Sequence, residues 1–242
     1  MLDGIKRWLG SPAKAEASPW ASVMTWAEAH QYGFRAVPEQ GFVVDGRLGT
    51  TPWRLEWGPS QRPYIQGHEL RLRAELGLGS ELQMLVMNRG LAEQMEKAVF
   101  EQYVEGVQTR IDNQTPPEMR WLVMFPKLAA SEMGELRRRY AALGSIKVWL
   151  QSWLQGPLSA ALEAYPRDDT TPLVIMIARG RLTLRTALAQ PELRAVQSAL
   201  RLFETALRES ERTARAKIEP APASSVPSSW TAGETKGSDG AG

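Results

Sequence analysis

Apolar and polar positions along the chain change period several times, and each change marks an element. From Trp20 to Tyr32 the apolar Trp20, Val23, Met24 and Ala27 recur at helical spacing, which predicts a first helix. Phe42-Val43-Val44 then runs into Asp45-Gly46, a strong hairpin-turn dipeptide. Trp53, Leu55 and Trp57 alternate with Arg54 and Glu56. After the turn-rich stretch 58–63, Leu70, Leu72, Ala74 and Leu76 alternate with Glu69, Arg71, Arg73 and Glu75. Strict alternation means strands with one buried and one wet face. Leu82 to Met87 adds a fourth strand, ended by Asn88-Arg89-Gly90, so the expectation is an antiparallel meander.

Helical period returns at Leu91 with the stripe Met95, Val99 and Tyr103, and stops before Asn113-Gln114-Thr115-Pro116-Pro117. Met119 to Phe125, a short apolar run after prolines, predicts a strand. Leu136, Tyr140, Leu143, Ile146, Leu150 and Trp153 predict a helical region that Gly144 kinks or divides in two. Leu173 to Ala178 has the length and branching of a strand buried on both faces. Arg179-Gly180 reads as its turn, and Arg181 to Thr186 as the returning strand. Leu193, Val196, Leu200, Phe203 and Leu207 step by three and four through a final helix.

The expected fold class is therefore α+β: an antiparallel β-meander plus a late hairpin, covered by several helices, with a disordered C-terminal tail. Residues 1–19 form an N-terminal amphipathic segment and linker, 20–217 a single α+β domain, and 218–242 the tail. The tail is rich in Pro, Ala, Ser, Thr and Gly, and buries too little apolar surface to offset its ordering entropy.

Composition changes this picture mainly by exclusion. Hydrophobic residues make up 43% of the chain, enough for a sizeable core. No run of about 18 apolar residues predicts a membrane span, and the N-terminus lacks the apolar stretch of a signal peptide. Cysteine is absent, which removes disulfides, thiolate metal sites and cysteine nucleophiles. A cytoplasmic location is expected, although a cysteine-free chain also suits the periplasm. A net charge of +2 argues against general nucleic-acid binding. The excess of arginine over lysine fits either bidentate anion recognition or a GC-rich coding bias.

Catalytic and cofactor patterns are incomplete. Gly77-Leu78-Gly79-Ser80-Glu81-Leu82 has two glycines of a dinucleotide fingerprint but Leu82 in place of the third, and reads as a strand connection. His68-Glu69 opens like a zinc-protease helix, but Leu72 stands where the second histidine belongs. His68 is expected half-buried in a strand, and His30 at a helix C-terminus. Asp168-Asp169-Thr170-Thr171 could hold Mg²⁺ with substrate phosphates, and also reads as an ordinary solvated turn. No catalytic residue, metal ligand or cofactor is nominated.

Two interaction signals remain. Leu2, Ile5, Trp8 and Leu9 lie on one helical side beside Lys6 and Arg7, a pattern suited to an anionic membrane surface or a partner groove. Arg54, Arg71 and Arg73 fall on the polar side of the meander, and Arg179 and Arg181 flank the late turn. An uncovered face would offer these arginines to an anionic partner, at little cost to stability if they were replaced. In the alternative they pair across strands with Glu56, Glu69 and Glu75. The expected function is that of a non-catalytic intracellular binding or adaptor protein acting on another protein. Peripheral membrane attachment through residues 1–9 and an enzyme with a motif-less site are the alternatives.

Overall fold

Eight strands join in one antiparallel sheet, ordered β1-β2-β3-β4-β8-β7-β5-β6. A computed structural model describes residues 18–38, 40–104, 116–166 and 170–218. The strands are β1 (Gly33–Val37), β2 (Gly41–Leu48), β3 (Thr51–Pro59), β4 (His68–Glu75), β5 (Met84–Asn88), β6 (Tyr140–Gly144), β7 (Leu173–Ala178) and β8 (Arg181–Ala187). The helices are α1 (Ala21–Ala29), α2 (Arg89–Val104), α3 (Pro117–Met124), α4 (Ala130–Met133), α5 (Lys147–Leu154), α6 (Pro157–Glu163) and α7 (Leu193–Ile218), with a 3₁₀ turn at Gly134–Arg138. The expected α+β class with an antiparallel sheet covered by helices is the observed one. The tail, the N-terminal segment and the Asp168-Asp169 loop lie outside the described residues.

One face of the sheet is apolar along its whole width. Val44, Leu55, Leu72, Leu184, Ile175, Val86 and Ala142 share it, and each is fully buried or nearly so. α1, α5, α6 and α7 pack together above it. The three-and-four spacing of α7 brings Val196, Phe203 and Leu207 onto the strands, all with no exposed surface. Indole N–H groups entering this core find acceptors: Trp153 donates to the Ala206 carbonyl at 3.0 Å and Trp57 to that of Leu188 at 2.8 Å.

The structure corrects the local expectations at four places. Asp45-Gly46 lies inside β2, where Gly46 pairs with Trp53, and the turn falls at Gly49, whose φ is +58°. Met119–Phe125 is not a strand. Pro117 opens α3 with its preset φ, and Trp121 and Leu122 bury against the sheet. An apolar run this short does not separate helix from strand by periodicity. Residues 140–144 are the edge strand β6, not a helix, so Gly144 is no kink. A side chain there would meet Met84 Sδ at 2.5 Å and the Gln83 carbonyl at 2.8 Å, a close approach that requires glycine.

The fourth correction concerns strand order. β5 does not extend the meander; β8 pairs with β4, and β5 lies between β7 and β6. Every residue of β5 is buried, so it needs neighbours that are apolar on both faces. β4 has charged residues on its second face, and β7 does not. The meander thus holds three of its four expected strands, with β1 (Gly33–Val37) added outside it as an edge. β1 escapes sequence reading because an edge strand without full burial shows no apolar alternation.

Candidate functional site

The second face of the sheet is divided. In register, one row of residues crosses all eight strands: Arg35, Val43, Glu56, Arg71, Arg185, Val174, Met87 and Ala141. It is largely charged from β1 to β8 and apolar from β7 to β6. α2 and α3 cover the apolar part, where Leu85, Met87, Leu143, Val174 and Met176 cluster with Leu91, Met95 and Trp121.

On the other part the charges bond to one another. Glu56 accepts from both Arg71 and Arg73, the latter at 2.9 Å. Glu69 Oε1 accepts from Arg71 Nη1 at 2.9 Å and from Arg185 Nη1 at 2.7 Å. These five side chains form a ladder, Arg73–Glu56–Arg71–Glu69–Arg185, across three strands. Its buried end is Glu69 with Arg185, whose side chains are 2% and 9% exposed. Burial lowers the Arg185 pKa from the ordinary guanidinium value; Arg62 and Arg71 add to the shift, and Glu69 opposes it. Outside the ladder, Arg54 pairs with Asp45 at 2.6 Å and Arg181 with Glu75 at 2.6 Å. A hollow of about 460 Å³ lies over this part, but its Glu56, Glu69 and Arg71 are already partners of each other.

The seam between the two parts holds a larger cleft, of about 640 Å³. Its floor is β8 and β7, and α3 makes one wall. Arg62, Arg120, Arg179, Arg181 and Arg185 line it, together with Trp121, Met124, Met176 and Ala178, and no carboxylate is among the described lining residues. Three carboxylates stand behind the arginines: Glu118 holds Arg62 Nε at 2.9 Å, Glu75 holds Arg181 and Glu69 holds Arg185. Glu118 is fully buried and also accepts from the Tyr64 hydroxyl at 2.9 Å. Burial and then Glu118 raise the Tyr64 pKa. Five guanidinium groups against three carboxylates leave the cleft positive.

Arg120 and Arg179 have no carboxylate partner among the described residues. Arg179 also sits at φ +52° in the two-residue turn with Gly180, a backbone region that an arginine occupies only at a cost. The Nε groups of Arg120 and Arg185 are buried without an acceptor, and Glu69 Oε2 and Glu118 Oε2 lack a donor. Those are four of the seven buried side-chain atoms left unpartnered among the described residues, so the hydrogen-bonding deficit concentrates at this cleft.

The structure therefore separates the arginines read from the sequence. Arg179 and Arg181 line the cleft; Arg54, Arg71 and Arg73 are engaged by Asp45, Glu56 and Glu69 outside it. Arg71 is 14% exposed and bridges two glutamates, so it is a structural partner and not a freely replaceable surface residue. Leu2, Ile5, Trp8 and Leu9 are outside the described residues. Sequence reading missed Arg62, Arg120 and Arg185. Arg185 was within reach, because the alternation that pairs Arg71 with Arg73 also aligns Arg181 with Arg185. Arg120 was hidden by the strand assignment of its helix, and Arg62 by its turn-rich surroundings.

The histidines belong elsewhere. His68 stacks on Trp57 with ring centroids 4.6 Å apart, and His30 Nδ1 donates to the Trp26 carbonyl at 2.8 Å. No cluster of three metal-ligating side chains occurs among the described residues. No protein-family model and no curated protein matches the chain. Among solved structures, the crystal structure of the mycobacterial trehalose monomycolate transport factor A, TtfA, is similar at 9% identity. The match covers 82% of this chain and 94% of that one with a TM-score of 0.44, a likeness that carries no argument about function.

Proposed function

We propose that the protein is a non-catalytic binding protein that takes an anionic ligand in the seam cleft. The observation that carries this reading is the pair of arginines without a carboxylate partner among the described residues, Arg120 and Arg179, beside the buried and unsatisfied Nε groups of Arg120 and Arg185. A buried donor without an acceptor costs about 1–3 kcal/mol, which an incoming oxyanion would recover. Guanidinium groups keep their protons at neutral pH and present planar forks to carboxylate or phosphate, so they bind anions without acting as general bases. Gln83 and Thr183 add uncharged polar groups, and the other described lining side chains supply apolar surface.

Calorimetric titration with inorganic phosphate and with an oligoglutamate peptide tests the reading. Saturable binding of either is expected, weakening as salt rises. Arg120→Gln together with Arg179→Gln should abolish it without unfolding the chain, because neither arginine leaves a carboxylate behind. Equal binding by the wild type and this double variant would overturn the assignment to the cleft. Binding of the peptide but not of phosphate would identify the ligand as an acidic segment of another protein.

A further inference from the structure

The floor of the seam cleft is itself two-sided. Along β8 the upward residues are Arg181, Thr183 and Arg185; along β7, directly beside them in register, are Ala178, Met176 and Val174. Neighbouring strands lie about 4.8 Å apart, so a polar column and an apolar column run side by side within the width of one small molecule. α3 repeats the contrast on the wall. Arg120 and Met124 are four residues apart and both line the cleft, so one helical face presents a guanidinium and a thioether in succession. Met124 is 63% exposed, although its neighbours Trp121 and Leu122 are buried against the sheet. A methionine left open beside five arginines is a flexible apolar surface that none of the described residues covers.

We infer that the ligand of this cleft is a freely diffusing amphipathic anion. Its oxyanion head sits among the guanidinium groups, and its alkyl or aryl body lies against Met124 and Ala178 at the edge of α3. The inference rests on the anion-binding reading above and adds the apolar body. A small hydrophilic anion would satisfy the arginines and leave the exposed Met124 and the half-buried Ala178 uncovered. A neutral apolar molecule would cover these and leave the partnerless guanidinium groups without acceptors. Only an ion with both parts answers both deficits, and a cleft of about 640 Å³ is within the range that holds such ligands.

The test is calorimetric titration of the full chain with inorganic phosphate, octyl phosphate below its micelle concentration, and octanol. Octyl phosphate should bind at least about tenfold more tightly than inorganic phosphate, since each methylene removed from water contributes roughly a factor of four. Met124→Ser should weaken octyl phosphate severalfold and leave inorganic phosphate unchanged. Arg120→Gln with Arg179→Gln should remove the preference of octyl phosphate over octanol. Melting curves of each variant establish that it is folded; both changes are at positions whose loss orphans no buried partner. If inorganic phosphate binds as tightly as octyl phosphate, the anion-binding reading stands and this inference is overturned. If octanol matches octyl phosphate, the oxyanion head has no role and the inference also fails. If none of the three binds, this inference is overturned, and the oligoglutamate titration alone decides the anion-binding reading.

Discussion

Across β3, β4 and β8 the second face of the sheet carries Glu56, Arg71, Arg73 and Arg185; across β7, β5 and β6 the same face carries Val174, Leu85, Met87 and Leu143. The hydrogen-bonded backbone runs through both without interruption, so side-chain chemistry alone separates them. The apolar part is stabilised by removal from water, and it gathers α2 and α3 as its cover. The charged part gathers no such apolar cover because its arginines and glutamates satisfy one another along the ladder, and a helix laid on it would have to desolvate the charges that are still wet, Arg73 among them. The two solutions meet at β8–β7. There the helical cover ends, the ladder has run out of glutamates, and a positive cleft with an apolar wall results.

The comparison is broken most forcefully by removing the junction of the ladder. Glu69→Ala leaves Arg185 buried with an uncompensated charge, and should cost about 3–5 kcal/mol in denaturant unfolding. A cost under about 1 kcal/mol would mean that water reaches Arg185 and that the ladder ends at Arg71. On the covered part, Met87→Ala removes a side chain with no exposed surface and should cost about 2–5 kcal/mol, with the denaturant slope unchanged. A much smaller loss there would show that α2 and α3 pack loosely on the sheet.

Smaller effects sharpen the contrast. The Arg54–Asp45 pair is 40% and 48% exposed, and a double-mutant cycle with Arg54→Gln and Asp45→Asn should return about 0.2–1 kcal/mol of coupling. Coupling as strong as that of the Glu69 junction would erase the distinction between the rim and the centre of the charged part. Least of all, Arg179→Gln should move stability by no more than about 0.5 kcal/mol, since its side chain is exposed and makes no ion pair among the described residues. A larger loss would place a hidden partner on Arg179 and remove it from the candidate site.

Much of the fold was legible because periodicity records burial. Leu70, Leu72 and Ala74 against Glu69, Arg71 and Arg73 could only be a strand with two unlike faces, and the step of Leu193, Val196, Leu200 and Phe203 could only be a helix on a core. Elements near Trp121 and Leu143 were misread for different reasons. Met119–Phe125 is an apolar run too short for the helical and strand periods to diverge, and Leu143 belongs to a three-and-four spacing from Leu136 to Trp153 that runs across a 3₁₀ turn, a strand and a helix. The site was legible in part. Arg179 and Arg181 showed themselves beside a two-residue turn, but which arginines stay free depends on where the glutamates fall in three dimensions.

What the sequence by itself determined was the class of each long element, the antiparallel character of the sheet and the two-sidedness of β3, β4 and β8, because each follows from local geometry acting on neighbouring residues. Only the tertiary structure decided that β8, and not β5, lies against β4, and that Arg120 and Arg62 face Arg185 across a cleft. Those are pairings between segments some 60 to 120 residues apart, selected by matching whole faces of strands and helices. The same matching consumed Arg71 and Arg73 in the ladder and left Arg120 and Arg179 without partners. A charge at a given position is written in the sequence, but whether it is neutralised depends on the strand that folding sets beside it.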